Sequence, residues 1–276
     1  MVDAAWAVPV ATASIAVAFW WNRRVRGFLP DDPPRPGRKQ HAHAVPLGGV
    51  ALLPPLLGWL LGAGRWCEAG ATLAVAAVGF VDDWQKELGR DFDWRIKLVV
   101  QWLSAAAVAI AAVDPLAQPV LCCTALVLVF VLTNAVNFLD NTDGVAAMLA
   151  GVGLVAATGG HGALAAAGFA ALAFVPWNWP RPLLFLGDSG AYALGLCCGA
   201  TVVGRLDAAP GAALLPFAVP LADFAQVVAA RVALGLRPWV GDRRHLTHVA
   251  QNLGLPRVAC APLFAAAAAT IALAWR

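Results

Sequence analysis

The sequence predicts an all-α, polytopic integral membrane protein of about ten transmembrane helices. Its 276 residues are 61% hydrophobic and only 13% charged, and the mean hydropathy is +0.72. Soluble domains carry roughly 25% charged residues, so this chain has too little charge to cover a water-exposed surface. Its apolar residues fall in runs of membrane-spanning length, and its basic residues cluster between alternate runs. These observations exclude a secreted disulfide scaffold, a disordered chain and a nucleic-acid-binding domain.

Apolar runs follow one another along the whole chain with short polar segments between them. A spanning helix needs roughly 20 apolar residues, and one of the runs, 67–81, is short by this measure. The predicted spans are 4–21, 45–64, 67–81, 96–113, 117–137, 144–160, 162–178, 188–204, 209–231 and 258–275. The segments between them leave no room for a soluble domain. Residues 1–276 are therefore predicted to form a single transmembrane domain.

The basic residues predict the orientation of these spans. If the N-terminus lies outside, every Lys and Arg except Arg65, Arg205 and Arg276 falls on the inner side. The positive-inside rule favours this orientation. No basic segment precedes the first apolar run, so we expect that run to be retained rather than cleaved as a signal peptide. Both termini are then expected outside, with all long loops in the cytoplasm.

Acidic clusters are conspicuous because carboxylates near a membrane are costly. Asp82 and Asp83 follow the third span, in GFVDDWQKELG. The fifth span ends in TNAVNFLDNTDG, where Asn137, Asp140 and Asp143 lie at steps of three residues. If the helix continues there, these side chains form a stripe on one face. All of them fall on the predicted cytoplasmic side.

Later segments bring further polar residues to the same side. Asn178 ends the seventh span, and Asp188 opens the eighth in GDSG, where a helix start offers backbone N–H groups to an anion. His245 and His248 lie in GDRRHLTH, while Asp223, inside the ninth span, is open to a structural or a functional role. Clustered carboxylates suit Mg²⁺, and basic residues beside them suit phosphate. This combination is typical of phosphoryl transfer and predicts a cytoplasm-facing active-site cleft.

Six segments in order match a known family pattern: RKQH…VPLGG, GFVDDWQKELG with KLVVQ, NAVNFLDNTDGVAA, WNWPRPLLFLGDSGAYALG, PLAD…R…G…P and DRRHLTH. Over residues 38–254 the chain resembles the polyprenyl-phosphate N-acetylhexosamine-1-phosphate transferases (glycosyltransferase family 4), WecA-type more than MraY-type. The resemblance implies transfer of a sugar 1-phosphate, in particular GlcNAc 1-phosphate, from a UDP-sugar to undecaprenyl or another polyprenyl phosphate. UMP is released, and a lipid-linked glycan is begun at the cytoplasmic face of a bacterial inner membrane.

The resemblance also implies roles for single residues. Asp188 is the implied principal Mg²⁺ ligand with Asp143 beside it, and Mn²⁺ is the alternative ion. The implied catalytic residues are Asp82, Asp83, Asp140, Asp143, His245 and His248. The implied substrate-binding residues are Asn137, Asn178, Lys39, Lys86, Arg243 and Arg244. Which of Asp82 and Asp83 acts as a base, if either does, stays open.

Two departures from the family pattern bear on specificity. Thr247 stands where the family has a histidine, and Pro46-Leu47-Gly48-Gly49 lacks the usual arginine. The sugar donor is therefore left open, and an MraY-type phospho-MurNAc-pentapeptide transferase is the alternative enzyme. A membrane transporter is the alternative of another class, although transporter sites usually lie near the bilayer midplane. The expected partners are a UDP-sugar and a polyprenyl-phosphate lipid but no nucleic acid, with a homodimer left open.

Overall fold

The protein is all-helical over the ranges that the computed structural model describes, which are residues 6–24, 45–237 and 243–274. The helices there are α1 (Ala7–Arg24), α2 (Gly48–Gly62), α3 (Trp66–Glu87), α4 (Trp94–Ala112), α5 (Pro119–Leu139), α6 (Val145–Thr158), α7 (Gly162–Asn178), α8 (Gly187–Val203), α9 (Pro210–Leu214), α10 (Ala218–Ala233), α11 (Leu246–Asn252) and α12 (Arg257–Leu273). A 3-10 turn (Leu215–Phe217) joins α9 to α10. These ranges contain no strand, and one isolated bridge pairs Val45 with Leu184.

Every predicted span coincides with a helix, and α9 and α10 together form the ninth, so the all-helical prediction is confirmed. Three described segments are long and apolar enough to cross a membrane by length and composition alone: Trp94–Ala112, Pro119–Leu139 and Pro210–Ala233. Other apolar helices are shorter, and α6, with 14 residues, is about 21 Å long. The number of ten crossings stays a prediction.

Helix α8 forms the centre of the fold. It packs most extensively on α5 and α3, and it also contacts α2, α6 and α7. Every residue of α8 is buried except Asp188, near its N-terminal end. Its sequence, GDSGAYALGLCCGATVV, consists mainly of small residues. Small residues let helices in a membrane approach closely enough to gain packing energy. The fold therefore brings one polar side chain of its central helix, Asp188, to the edge of the core.

Glycines set the spacing between α8 and its neighbours. A Cβ atom on Gly79 of α3 would lie 2.6 Å from the backbone nitrogen of Ser189. A Cβ atom on Gly195 would lie 2.7 Å from the carbonyl oxygen of Leu132 on α5. Both contacts are with backbone, which cannot rotate away as a side chain can. Gly79 and Gly195 thus allow α3 and α5 to lie directly against α8.

The end of α3 differs from the predicted span. The helix continues to Glu87 rather than ending near residue 81, so Asp82 and Asp83 are helical. Lys86 lies one turn beyond them on the same helix and pairs with Asp82. The apolar run predicted the hydrophobic part of α3, whereas the helix itself continues through the charged residues that pair at its end.

The end of α5 also differs from the continuous polar stripe that the spacing suggested. The helix ends at Leu139, and Asp140 is its C-cap, so Asp143 lies beyond the helix. The amide Nδ2 of Asn141 donates to the carbonyl of Phe138. Such local side-chain bonds compete with helical ones and terminate the helix. The following turn places Asp140 and Asp143 in different surroundings.

Candidate active site

The candidate site lies at the N-terminal end of α8, where α3 and α5 bring polar side chains to Asp188. The ammonium Nζ of Lys86 lies 2.8 Å from one carboxylate oxygen of Asp188. The amide Nδ2 of Asn137 donates to the other oxygen at 2.9 Å. These residues are 102 and 51 positions from Asp188 in sequence, so only the folded helix packing brings them together. The structure therefore brings Asp188, Asn137 and Lys86 together, while their roles in the reaction stay predictions.

Lys86 is the positive centre of a cluster of carboxylates. Its Nζ lies 2.6 Å from Asp82 Oδ2 and 4.0 Å from Asp83 Oδ1. Lys97 of α4 adds a second cation, 2.9 Å from the same oxygen of Asp82. Because Asp82 is buried, both cations offset the cost of removing its charge from water. Sequence reasoning missed Lys97, although a lysine inside the predicted span 96–113 itself signals a buried partner.

The first backbone N–H groups of α8 are bound by carboxylates of the protein itself. Asp83 Oδ2 accepts from the N–H of Asp188 at 2.8 Å, and Asp140 accepts from the N–H of Gly187. The positive end of the helix dipole stabilises both anions. Two N–H groups of this helix start are therefore already occupied, and binding of a substrate anion there stays a prediction. Asp140 is the C-cap of α5, where its negative charge is unfavourable to the dipole of that helix. The start of α8 compensates, because its positive dipole end faces the same carboxylate.

Burial raises the pKa of Asp140 well above its usual value, and the negative charges of Asp188 and Asp143 raise it further. The Gly187 N–H and Lys86 act in the opposite direction but do not reverse the shift. A carboxylate held charged against this preference stores unfavourable energy in the folded state. Such strain at a polar cluster is typical of functional sites.

We expect Asp140→Asn to raise thermal stability while it lowers activity. Asparagine keeps an oxygen for the Gly187 N–H but carries no charge. A raised folded-state pKa stabilises the folded protein below the unfolded value of roughly 3.9, and this stability is lost as pH rises through the folded value. The gain from the variant should therefore grow with pH. About 1 kcal/mol, a usual gain for a stabilising substitution, corresponds to roughly 2–4 °C in Tm for a chain of this size.

The measurement is the Tm in detergent at pH 5 and pH 8, with Asp207→Asn as the control. Asp207 is an exposed aspartate in the connection between α8 and α9. The control should leave Tm unchanged at both values of pH. A lower Tm for Asp140→Asn at pH 8 would show that the charged form of Asp140 stabilises the fold.

Asn178 lies beside this cluster, and both ends of its amide are bound by backbone. Its Oδ1 accepts from the N–H of Gly144 at 2.7 Å, and its Nδ2 donates to the carbonyl of Leu184 at 2.9 Å. The side chain is 2% exposed. In this structure Asn178 therefore joins the 140–144 turn to the segment that leads into α8. A contact with the nucleotide stays a prediction.

Asp143 and Asp188, the predicted metal ligands, have different partners. Both Nε and Nη2 of Arg257 donate to the carboxylate of Asp143 at 3.2 Å, whereas Asp188 is bound to Lys86 and Asn137. Over the described ranges, no group of three or more His, Cys, Asp or Glu side chains is arranged to hold a metal ion. A metal shared by Asp143 and Asp188 thus stays a prediction. Sequence reasoning missed Arg257, which begins α12 at the edge of the last predicted span.

Thr247, which replaces a histidine of the family pattern, has a structural role here. Its hydroxyl donates to Asn141 Oδ1 at 2.7 Å, and the hydroxyl of Thr142 donates to the same oxygen at 2.8 Å. Thr247 is fully buried. Together with the Arg257–Asp143 ion pair, this bond fixes α11 and α12 against the 140–144 turn.

The two predicted histidines lie together in a second cluster. Their ring centroids are 5.8 Å apart, and His245 Nδ1 lies 2.8 Å from Asp223 Oδ2. Burial lowers the pKa of His248, and the nearby arginines Arg243 and Arg257 lower it further. Its Nδ1 is buried without a hydrogen-bond partner in the described part of the chain. The sequence left Asp223 open to a structural or a functional role. In the structure it is the direct partner of His245, a predicted site residue.

Of the remaining predicted site residues, the structure describes Arg243 and Arg244 but not Lys39. Arg243 is exposed, and Arg244 is half-buried in the segment before α11. Lys39 lies outside the described residues, so its role stays a prediction.

These observations define a class of protein. It is all-helical over the described ranges and has an oxygen-rich, acidic site at one end of a core of small residues. Residues 66–204 match the family model described as glycosyl transferase family 4. The chain belongs to this family. The matched region contains the acidic site around Asp188 and ends before the histidine cluster.

Three relatives show the range of similarity. An undecaprenyl-phosphate alpha-N-acetylglucosaminyl 1-phosphate transferase from Thermotoga maritima is 29% identical over 221 residues, 77% of this chain and 70% of the relative. A phospho-N-acetylmuramoyl-pentapeptide-transferase from Synechococcus elongatus is 31% identical over 222 residues, 65% of this chain and 60% of the relative. A decaprenyl-phosphate N-acetylglucosaminephosphotransferase from Mycolicibacterium smegmatis is 34% identical over 158 residues, 44% of this chain and 38% of the relative. The chain thus spans only part of each relative.

Proposed function

We propose that the chain transfers N-acetylglucosamine 1-phosphate from a UDP-sugar to undecaprenyl phosphate or another polyprenyl phosphate. An oxygen of the lipid phosphate forms a bond to the β-phosphorus of the donor, the bond to the bridging oxygen breaks, and UMP leaves. Two relatives are named for transferring N-acetylglucosamine phosphate to such lipids. Family membership supports a phospho-sugar transferase in general, and these names support the particular donor.

The observation that carries the proposal is the position of Asp188. It is the single residue of α8 that is not buried, and it meets a lysine and an asparagine from two other helices. A carboxylate cluster that includes the Asp82–Lys86 ion pair offers charge neutralisation and alignment, which are the main sources of rate in phosphoryl transfer. Building such a cluster in an apolar protein costs free energy, so a functional reason is required.

By the chemistry of their oxygen atoms, although not by an arrangement already built to hold a metal ion, the described residues of this cluster also fit a divalent cation. The carboxylates of Asp82, Asp83 and Asp188 surround one ammonium, that of Lys86. Their oxygen atoms are the ligands that Mg²⁺ prefers. We propose that Asp188 is the principal ligand, as the family resemblance implies. When bound, Mg²⁺ neutralises the diphosphate charge and stabilises the charge that develops on the leaving UMP.

The chain's own residues supply the remaining functions. Both Lys97 of α4 and Lys86 pair with Asp82. Because Lys97 keeps Asp82 neutralised, Lys86 can exchange its contact with a carboxylate for a contact with a phosphate oxygen. Asp83 and Asp140 fix the first turn of α8, and with it the backbone of Asp188. A site held by several helices keeps reacting groups aligned, which is worth several kcal/mol in such displacements.

We further propose that the chain crosses a bacterial cytoplasmic membrane ten times with this site on the cytoplasmic face. The support is the one-sided distribution of basic residues in the predicted topology. The lipid phosphate would then reach the site laterally from the inner leaflet. A homodimer stays an open part of this proposal.

The test is UMP release by purified protein with undecaprenyl phosphate and Mg²⁺. UDP-GlcNAc, UDP-GalNAc and UDP-MurNAc-pentapeptide are compared as donors at equal concentration. Release with UDP-GlcNAc and not with the pentapeptide donor is the expected result. Preference for UDP-MurNAc-pentapeptide would instead place the chain with the 31% identical pentapeptide transferase. No release with any donor would contradict the proposed reaction.

A further inference from the structure

We propose that Asp223 is a positioning residue that keeps the proton of His245 on Nδ1 and directs Nε2 to a phosphate oxygen of the substrate. The inference rests on the proposed function, because it assigns a role in that reaction to a residue outside the acidic cluster. It concerns the histidine cluster formed by α10 and α11, which lies beyond the family-matched region 66–204.

The contact between the two residues is buried and direct. Asp223 Oδ2 lies 2.8 Å from His245 Nδ1, and the side chains are 0% and 6% exposed. A carboxylate in such a site accepts the hydrogen bond, so Nδ1 carries the proton. Nε2 forms no hydrogen bond within the part of the chain that the structure describes. It is therefore the ring nitrogen left for a ligand.

The ring of His245 is also fixed from its other sides. It meets Phe138 edge-on, with ring centroids 5.6 Å apart, and the guanidinium of Arg231 lies 5.0 Å from the centroid of Phe138. Arg231 is 2% exposed, so this arrangement belongs to the protein interior. A histidine held by packing and by a carboxylate has a defined orientation and tautomer.

The surroundings identify the ligand as an anion. His248 lies beside His245, and two arginines, Arg243 and Arg244, directly precede His245 in the chain. When Nε2 of His245 also carries a proton, Asp223 balances the charge of the imidazolium. This is the role of the buried carboxylate in a carboxylate–histidine pair. The chemistry fits a phosphate oxygen of the donor diphosphate or of the lipid.

Asp223 has a second contact, which makes a discriminating variant available. Its Oδ1 accepts from the N–H of Leu246 at 2.6 Å, at the start of α11. In Asp223→Asn, the amide oxygen must face this N–H, so the NH₂ group faces His245. The histidine must then accept at Nδ1, and its proton moves to Nε2. The variant preserves the cap of α11 and reverses the tautomer.

The first measurement is the ¹⁵N NMR spectrum of protein labelled at histidine, assigned with His245→Ala. We expect a protonated Nδ1 in the unsubstituted protein and an unprotonated Nδ1 in Asp223→Asn. An unchanged Nδ1 would overturn the proposal. This measurement needs no turnover, so it is independent of the proposed function, which fails separately if the unsubstituted protein releases no UMP.

The second measurement is a double-mutant cycle on UMP release. We expect Asp223→Asn to lower kcat by about 10- to 100-fold, the usual loss when the partner of a functional histidine is changed. In a His245→Ala background the same change should cost less than about 2-fold, because its effect acts through His245. An equal loss in both backgrounds would show a purely structural role. Asp93→Asn is the matched control, since Asp93 caps α4 through the N–H of Arg95.

Discussion

Asp188→Asn is expected to reduce turnover by on the order of 10²-fold or more while the protein inserts and folds normally. The amide has nearly the same size as the carboxylate but lacks its charge. It loses the ion pair with Lys86 and offers a weaker ligand to a divalent cation. Removing one preorganised charge from a reaction centre typically costs 10²–10³-fold in kcat. The check is kcat for UMP release, with folding followed by gel filtration and Tm.

The matched control is Asp114→Asn. Asp114 is an exposed aspartate between α4 and α5, and its Oδ1 accepts from the N–H of Leu116. An asparagine can accept the same bond, so kcat should be unchanged. If Asp188→Asn retained near-normal kcat, the reacting centre would lie elsewhere, and the assignment of Asp188 as a metal ligand would be wrong.

Gly79→Ala is expected to damage both stability and activity. The new Cβ atom would lie 2.6 Å from the backbone of Asp188 and of Ser189, so α3 must move away from α8. Such overpacking typically costs 1–3 kcal/mol. Asp82 and Asp83 lie about one turn beyond Gly79 and would move with the helix. A displacement of about 1 Å at a reaction centre can cost 10²-fold, so activity should fall by about that factor.

Gly70→Ala is the control on the same helix, because nothing lies within 4 Å of the position of its Cβ atom. It should raise the stability by roughly 0.5–1 kcal/mol, as alanine is the better helix former. The two variants are compared by Tm in detergent and by UMP release. Equal effects of the two substitutions would show that the α3–α8 contact at Gly79 is not important for the site.

The helices were predictable because the length of an apolar run can be read from local sequence. All ten runs correspond to helices, whereas the central, buried position of α8 was seen only in the structure. The helix ends were less predictable. α3 extends to Glu87 through charged residues, and α5 ends at Leu139 because Asn141 competes for a backbone carbonyl. These ends depend on side-chain bonds that hydropathy does not report.

The sequence pattern selected residues that the fold brings together, but it did not predict their contacts. The sequence pattern selected Asp82, Asp188 and Asn137, and the fold brings them together. It could not show that Asp83 and Asp140 bind the start of α8, because that contact depends on how α3, α5 and α8 pack. The partners of an ion pair in different helices follow from tertiary structure alone.

Arg257 and Asp223 also show that the sequence does not identify the partner of a charged residue. Each lies at the edge of a predicted span or within one, and each has a partner distant in sequence: Asp143 for Arg257 and His245 for Asp223. A charged residue in an apolar run indicates that a partner exists without identifying it. Thr247 is a further case. It stands in place of a histidine of the family pattern, and only the structure shows that its hydroxyl donates to Asn141.

The most direct test of the central claim follows the β-phosphate of the donor. UDP-GlcNAc labelled with ³²P at the β-phosphate is incubated with the purified protein, undecaprenyl phosphate and Mg²⁺, and the lipid is extracted into butanol. Transfer of a sugar 1-phosphate predicts that the label enters the lipid in equal amount to the UMP released. Label that remains in UDP, or that appears in water-soluble GlcNAc 1-phosphate, would contradict it. The first result would indicate transfer of the sugar alone, and the second would indicate hydrolysis.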